Sequence, residues 1–224
     1  MNTPALACAA TAPPRSRGLE RLIELACARP LQPRCGEFYF LRHGQTPRNA
    51  LRIFQSYDEP LSALGEQQAE AAAAVLAREP IRRIVCSDAR RALHTAQTVA
   101  ARLKLEPLAQ PLLRERHFGA LIGTSSADID WDCAPEGGET LAQFIDRKRE
   151  ALGAALEGEG PVLVVAHGGS LYVLAALLSV PLEAALLANA HPLHFRCGAN
   201  GWQARSLGPL DAAAAAAAAG SALA

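Results

Sequence analysis

Short apolar runs that alternate with helical stretches constrain the fold of this chain more than any other feature. Three runs have the length and composition of buried strands: residues 37–42, 81–86 and 162–166. Stretches with helical spacing follow them, at residues 62–78, 89–103 and 169–178. Repeated strand–helix units of this kind predict an α/β fold, with three αβα layers around a mostly parallel central sheet.

Two further elements complete the predicted fold. Residues 139–156 carry apolar side chains on one face and are predicted to form another amphipathic helix. Near the C-terminus, residues 194–197 and 202–205 flank Asn200-Gly201, which is a strong signal for a β-hairpin. The hairpin predicts an antiparallel edge on the sheet.

One domain with two flanking segments is predicted, and the domain spans residues 36–208. Residues 1–35 form an N-terminal extension, in which 1–16 is expected to be disordered and about 18–28 has the spacing of a short helix. That helix is expected to pack on its own domain rather than on a partner. Residues 209–224 form an Ala-rich tail of low complexity, either a loose helix or disordered, without chemistry.

Charge and composition exclude several kinds of partner. The 22 basic and 22 acidic residues balance, so no global field attracts nucleic acid or an anionic membrane. No run of 18 apolar residues occurs, so no transmembrane helix is expected. The six cysteines form no close pair, which favours reduced thiols in a cytoplasmic protein. For the location, an N-terminal transit peptide is the alternative. We expect a monomer or homodimer that acts on a small molecule.

His43 is the first residue that indicates chemistry. It lies in the segment Leu-Arg-His-Gly-Gln-Thr at 41–46, directly after a predicted strand, where open α/β sheets place their ligands. A neutral histidine offers a nucleophilic ring nitrogen, and Arg42 is a permanent planar cation suited to phosphate. Together they predict phosphoryl transfer through a phosphohistidine. An ordinary turn histidine is the alternative, because so short a motif also occurs by chance.

Five ordered segments resemble the motifs of the histidine phosphatase superfamily, the phosphoglycerate mutase-like proteins. They are residues 42–46 with Asn49, Gln55 with 60–69, 87–96, 113–119 and 164–169. The resemblance covers about residues 36–208. It implies a phosphoglycerate mutase-like fold and a metal-independent phosphomonoesterase that hydrolyses a small phosphorylated metabolite.

The resemblance also implies roles for six residues. Three are catalytic: His43 as nucleophile, Glu115 as general acid and then base, and His167 as a charged group beside the phosphate. Three bind the phosphate of the substrate: Arg42, Asn49 and Arg91. Arg91 is chosen over Arg90 because the family motif places an arginine directly before Ala-x-x-Thr-Ala.

Structural alternatives exist for three of these residues. Asn49 follows Pro47 and has the character of a turn residue. Glu115 lies between two arginines and could form a surface salt bridge. His167 alone could be a turn histidine, although the strand before it and the glycines after it favour a site. The other four histidines are interpreted as structural or peripheral: His94, His117, His191 and His194.

Neither a metal nor a cofactor is expected. The histidines show no His-x-His or His-x-x-x-His spacing, and no paired carboxylates accompany them. A pocket that holds several arginines also repels a metal ion. A P-loop is absent, because no lysine follows Gly137-Gly138.

Hydrolysis is favoured over mutase-type transfer. The mutases of the family have a long insertion after the acid-bearing segment, whereas here only residues 124–138 separate Gly123 from Glu139. So short a lid would shield a phosphohistidine poorly from water. The alternatives are a phosphoglycerate mutase-type phosphotransferase that uses the same His43, and a non-catalytic phosphate-binding relative.

The segment 118–146 bears on the substrate. It contains no Lys or Arg, but acidic residues at 128, 130, 132, 136 and 139. As a lid it would repel a second anionic group on the substrate, unless Arg48 or Arg52 neutralises that charge. Ile129 and Trp131 are expected to offer apolar contacts instead. Arg48 and Ser56 stand where the family usually has Trp and Gly, so the shape of the substrate stays open.

Overall fold

The computed structural model describes residues 17–208 of the protein. The strands within them are β1 (Glu37–Arg42), β2 (Arg83–Ser87), β3 (Pro107–Gln110), β4 (Val162–Ala166), β5 (Pro192–Gly198) and β6 (Gly201–Ser206). The α-helices are α1 (Leu19–Cys27), α2 (Pro47–Ala50), α3 (Ala63–Leu76), α4 (Arg90–Leu103), α5 (Leu141–Glu157) and α6 (Gly168–Leu177). Together the strands form one sheet in the order β3-β2-β4-β1-β5-β6.

The sheet separates two apolar layers. Parallel pairing joins β1 to β4, β4 to β2 and β2 to β3, whereas β5 and β6 add an antiparallel edge. In β1, Phe38 and Phe40 pack in the core beneath α1, α5 and α6, while Tyr39 and Leu41 pack beneath α3 and α4. Neighbouring side chains of a strand point to opposite faces, so one strand serves both layers. The predicted three-layer α/β fold is confirmed.

Two strands differ from the prediction. β2 begins at Arg83 rather than at Ile81, because the neighbouring β4 begins at Val162, which is in register with Arg83. β3 was not predicted at all. It has four residues at the edge of the sheet, and its Leu108 is exposed, so it lacks the apolar pattern of a buried strand.

The predicted hairpin is present, with its turn one residue earlier than the Asn-Gly pair suggested. Gly198 pairs with Gly201, so Ala199 and Asn200 form the turn. Gly201 has a φ of 93°, in the left-handed region that glycine adopts without strain. Asn200 therefore lies in the turn, and Gly201 is the first residue of the strand that follows.

Helix α1 lies within the stretch predicted to be helical and packs on its own domain. Leu22 and Ala26 are fully buried in the layer that also contains α5 and α6. No helix among residues 17–208 has the length and apolarity needed to cross a membrane. Residues 1–16 and 209–224 lie outside the described residues, so the disorder and the Ala-rich tail expected there stay predictions.

Candidate active site

The carboxyl ends of three neighbouring parallel strands form the candidate site. His43 follows β1 and His167 follows β4, and the register pairs Arg42 with Ala166, so the two histidines come side by side. Their ring centroids are 5.1 Å apart. Ser87 ends β2 on the other side of β4, and its hydroxyl oxygen lies 2.9 Å from Nε2 of His167. Residues that are far apart in sequence share this edge because the strands are parallel.

His43 has the tautomer that a nucleophile needs. Its Nδ1 lies 2.7 Å from the carbonyl oxygen of Gly44. A carbonyl oxygen only accepts hydrogen bonds, so Nδ1 carries the proton and Nε2 keeps its lone pair. Nε2 accepts a hydrogen bond of 3.2 Å from Nε of Arg91. The reactive nitrogen therefore points at a cation that can also hold a phosphate oxygen.

Two buried guanidinium groups act on His43. Arg42 and Arg91 are 1% and 2% exposed. Nη1 of Arg42 donates to the carbonyl oxygen of Leu187 at 2.7 Å, and Nη1 of Arg91 donates to that of Ser56 at 2.8 Å. Burial lowers the pKa of each guanidinium to about 10, so both are charged at neutral pH. The site therefore holds two fixed positive charges for a phosphate.

The first turns of α4 place Arg91 in the site and leave Arg90 exposed. The hydroxyl of Thr95, one turn later, donates to the carbonyl oxygen of Arg91 at 2.8 Å. The hydroxyl oxygen of Thr95 also accepts a hydrogen bond of 3.1 Å from the backbone N–H of Gly44. Thr95 thus fixes the helix that carries the cation against the loop that carries His43.

Burial and the arginine charges hold both histidines neutral. Burial, then the charges of Arg91 and Arg42, lower the pKa of His43 well below its usual 6.5. Burial, then Arg91 and the adjacent His43, lower the pKa of His167 in the same way. A neutral His43 suits a nucleophile. For His167 the protein groups alone favour the neutral ring rather than the predicted charged one, whereas a phosphate dianion beside it would favour protonation.

Glu115 reaches the site from the loop that precedes a short 3₁₀ turn. Its Oε2 accepts a hydrogen bond of 2.8 Å from the backbone N–H of Gly169, and its Oε1 accepts one of 2.9 Å from that of Arg116. The charge of Glu115 is the strongest influence that raises the pKa of both site arginines. The carboxylate is therefore oriented by two amide groups and lies within electrostatic reach of Arg42 and Arg91.

The guanidinium groups beside Glu115 do not form the salt bridge considered as its alternative role. Arg114 binds Asp88 through two hydrogen bonds, of 2.6 and 2.7 Å. Arg116 is buried, and its guanidinium donates to backbone carbonyl oxygens, among them those of Trp131 and Glu139. The arginines hold the surrounding loops and leave the carboxylate to the site.

Two glycines permit close approaches that no other residue would allow. A Cβ at Gly169 would lie 2.5 Å from Oε1 of Glu115 and 2.8 Å from Cη2 of Trp131. A Cβ at Gly44 would collide with the backbone carbonyl oxygen of Gly65 in the first turn of α3. Gly169 therefore leaves space for the carboxylate of Glu115, and Gly44 allows the loop after His43 to pack against a helix.

Asn49 is fully buried at the same edge, and it is joined there by a residue that the sequence did not indicate. Nδ2 of Asn189 donates to the backbone carbonyl oxygen of His43 at 3.0 Å and to Oδ1 of Asn49 at 3.3 Å. Asn189 precedes β5 and has no motif around it, so nothing in the sequence distinguished it from a loop residue. It links Asn49 to the backbone of His43.

The expected contacts of Ile129 and Trp131 with the substrate are wrong. These side chains are 5% and 1% exposed and belong to the hydrophobic core. Trp131 packs against the rings of Phe118 and Phe144, with centroid distances of 6.0 and 6.3 Å. Ile129 and Trp131 of segment 118–146 are buried because they pack in the same core layer as the apolar face of α5.

Ion pairs neutralise part of the acidic lid. Asp130 pairs with Arg17 at 3.2 Å, and Glu139 pairs with Arg147 at 2.6 Å. Both partners lie outside the segment 118–146, which is why its own sequence did not reveal them. The repulsion expected for an anionic substrate is therefore weaker than the composition of the lid suggested.

A family model of the histidine phosphatase superfamily, branch 1, matches residues 38–208. This chain belongs to that superfamily. The match begins at the second residue of β1 and ends with the described residues, so it includes β2 to β6 and every predicted site residue.

Several relatives and solved structures resemble this histidine phosphatase. A glucosyl-3-phosphoglycerate phosphatase of Mycobacterium tuberculosis is 37% identical in an alignment that covers 66% of this chain and 78% of the relative. A probable phosphoglycerate mutase of Serratia proteamaculans is 34% identical in an alignment that covers 66% of this chain and 77% of the relative. A solved mycobacterial glucosyl-3-phosphoglycerate phosphatase in complex with VO3 has a TM-score of 0.64 at 32% identity, covering 77% of this chain and 97% of that one.

These likenesses confirm the predicted family and the predicted activity as a phosphomonoesterase acting on a small phosphorylated substrate. The roles of the six site residues stay predictions. Among residues 17–208, no group of three or more His, Cys, Asp and Glu side chains could hold a metal ion. The expected independence from metal stays a prediction.

Proposed function

We propose that this phosphatase hydrolyses phosphate monoesters with His43 as the nucleophile. The observation that carries the proposal is the state of the His43 ring: Nδ1–H is held by the Gly44 carbonyl, the Nε2 lone pair accepts from the buried guanidinium of Arg91, and the charge of buried Arg42 also acts on the ring. A nucleophile for phosphoryl transfer needs both an available lone pair and fixed cations that take up the charge on the phosphate.

In the first step, Nε2 of His43 attacks phosphorus in line with the bond to the alcohol oxygen. Arg42 and Arg91 bind the equatorial oxygens, where the negative charge spreads in the transition state. Protonated Glu115 gives its proton to the departing alcohol oxygen, so the P–O bond breaks and a P–N bond forms. In the second step, the carboxylate of Glu115 takes a proton from water, water attacks phosphorus, and the P–N electron pair returns to Nε2.

His167 and Asn49 complete the binding of the phosphate. Nδ1 of His167 is buried without a hydrogen-bond partner among residues 17–208, while Nε2 is held by Ser87. A phosphate dianion supplies both an acceptor for Nδ1–H and the negative charge that favours the protonated ring. Asn49 lies in the same buried edge, anchored through Asn189.

His43→Ala tests the nucleophile, with His94→Ala as the matched control because His94 is exposed on α4. Acid quenching of the wild-type enzyme with 32P-labelled substrate should trap an adduct that is labile to acid. His43→Ala should lose both the adduct and the activity, and His94→Ala should keep both. Full activity in His43→Ala would exclude the mechanism.

The substrate is proposed as a small metabolite with one phosphate ester. The names of the relatives suggest glucosyl-3-phosphoglycerate as the first compound to test, beside 3-phosphoglycerate, bisphosphoglycerate and alkyl phosphates. The mutase alternative is kept because of the relative from Serratia. Release of inorganic phosphate equal to the substrate consumed supports hydrolysis, whereas phosphate transfer between glycerate positions supports the mutase.

We also propose that residues 36–208 form the catalytic domain, flanked by the extension 1–35 and the tail 209–224. The enzyme is proposed to work in the cytoplasm as a monomer or homodimer, without nucleic-acid or membrane partners. The balanced charge supports this, as do the free thiols of the five cysteines among the described residues. Light scattering during gel filtration measures the oligomeric state.

A further inference from the structure

Lys148 is one of only two lysines in the chain, and it is fully buried. It lies on α5, four residues after Phe144 and four before Leu152, so helical spacing places it on the apolar face of the helix. Among residues 17–208, its Nζ has no hydrogen-bond partner. An amine buried in this way costs stability, and a well-packed apolar residue would not.

Lys148 lies beside aromatic side chains that extend toward Glu115. Its Nζ is 5.6 Å from the centroid of the Phe144 ring, and that ring stacks on Trp131. Trp131 and Glu115 are neighbours beside Gly169, since Cη2 of Trp131 and Oε1 of Glu115 lie 2.8 and 2.5 Å from the position that a Cβ at Gly169 would take. Two buried aromatic rings therefore lie between the amine and the surroundings of the carboxylate, where the dielectric constant is low.

Charged groups from four parts of the fold act on or respond to Lys148. Arg147 on its own helix repels its charge, while Glu115 and Glu139 attract it, Glu115 more strongly. The charge of Lys148 in turn lowers the pKa of His167 at the start of α6. Burial, followed by Arg147, lowers the pKa of Lys148 well below its usual 10.5.

We propose that Lys148 is a positioning residue for the general acid, and that its buried amine sets the pH range over which Glu115 holds its proton. The proposal rests on the role of Glu115 in the proposed function. A phosphate dianion in the site adds negative charge and favours protonation of Lys148. The ammonium then stabilises the carboxylate of Glu115, which gives its proton to the alcohol and accepts one from water in the next step.

Lys148→Met removes the charge and keeps a long unbranched side chain. Lys104→Met is the matched control, since Lys104 is the other lysine and lies exposed at the end of α4. The assay is kcat against pH for glycerol phosphate, whose alcohol needs a proton to leave, and for nitrophenyl phosphate, whose phenolate does not.

Without the ammonium, Glu115 keeps its proton to higher pH. We therefore expect the basic limb for glycerol phosphate to move upward by about 0.5 pH unit or more in Lys148→Met. The nitrophenyl phosphate profile, and both profiles of Lys104→Met, should stay in place. Lys148→Leu, a second apolar replacement, should move the limb in the same direction. Because an unpaired buried amine is removed, the Tm of both Lys148 variants should be kept or raised.

An unmoved basic limb for glycerol phosphate, or an equal movement for nitrophenyl phosphate, overturns the role of Lys148. Glu115→Gln in the same assays separates this result from a failure of the proposed function. Equal losses on both substrates in Glu115→Gln mean that Glu115 is not the acid. A selective loss on glycerol phosphate, together with an unmoved Lys148→Met profile, overturns the role of Lys148 alone.

Discussion

Replacement of Gly169 by alanine should displace the general acid and leave the nucleophile intact. The new Cβ would stand 2.5 Å from Oε1 of Glu115, and ordinary contacts begin near 3.4 Å. The carboxylate must therefore retreat by about 1 Å, and Cη2 of Trp131, at 2.8 Å from the same Cβ, restricts where it can go. A misplacement of this size lowers kcat on alkyl phosphates about 10²-fold, which is about 2.7 kcal/mol of transition-state stabilisation.

Stability should change less than activity in this variant. Alanine gains up to about 1 kcal/mol of helix propensity over glycine, against about 1–3 kcal/mol for the overpacked contact. Gly153→Ala in α5 is the matched control, because its Cβ would meet Cδ1 of Leu31 at an ordinary 3.5 Å. That control should keep full activity and gain about 0.5–1 kcal/mol in the free energy of unfolding.

Steady-state kinetics on glycerol phosphate and nitrophenyl phosphate provide the assay, and denaturant unfolding provides the stability. Nitrophenolate leaves with little need of a proton, so Gly169→Ala should lose less than about tenfold on nitrophenyl phosphate. The reasoning is refuted if Gly169→Ala keeps the wild-type kcat on glycerol phosphate, or if it loses the same factor on both substrates. The first result would mean that Glu115 needs no space at Gly169.

Two further predictions concern pH and metals. Since the pKa of His43 is held well below 6.5, the acid limb of kcat/KM should lie well below pH 6.5. The second ionisation of the substrate phosphate, at about pH 6, must first be allowed for. An acid limb at or above pH 6.5 would contradict this expectation. Below pH 6.5 the unfolded chain binds protons that buried His43 and His167 do not, so Tm measured in a pH series should fall as the solution is acidified from 6.5. Activity should survive dialysis against a strong chelator, because Arg42, Arg91 and His167 supply the positive charge; loss on chelation with recovery on adding Mg²⁺ or Zn²⁺ would show that a metal takes part.

Much of the fold follows from local patterns along the chain. Strands β1 and β4 lie at the residues where the apolar runs predicted them, because the side-chain periods of strands and helices are set by backbone geometry. β3 could not be predicted, since its four residues carry no apolar alternation and its hydrogen bonds depend on the neighbouring β2. The start of β2 likewise depended on where β4 begins.

The residues that support the site show how far sequence reasoning reaches. Ser87 directly follows the predicted strand 81–86, and Lys148 lies at helical spacing on the apolar face of the predicted helix 139–156, so both had a signal in the sequence. Asn189 had none. Ile129 and Trp131 were placed at the substrate because an apolar side chain in a lid and one in a core look alike in sequence. Only the packing beneath α5 distinguishes them.

Residue types and the order of the motifs could be read directly from the chain. The side-chain periods of helices and strands could be read as well, because they depend on residues a few positions apart. They predicted the layers, the family and six candidate site residues. The tautomer of His43, the neutral state of His167 and the entry of Glu115 past Gly169 were not readable in this way. Each depends on distances between distant segments, which follow from strand register and helix packing. Desolvation and charge interactions change steeply with those distances, so the chemistry of the site is settled only when the chain has folded.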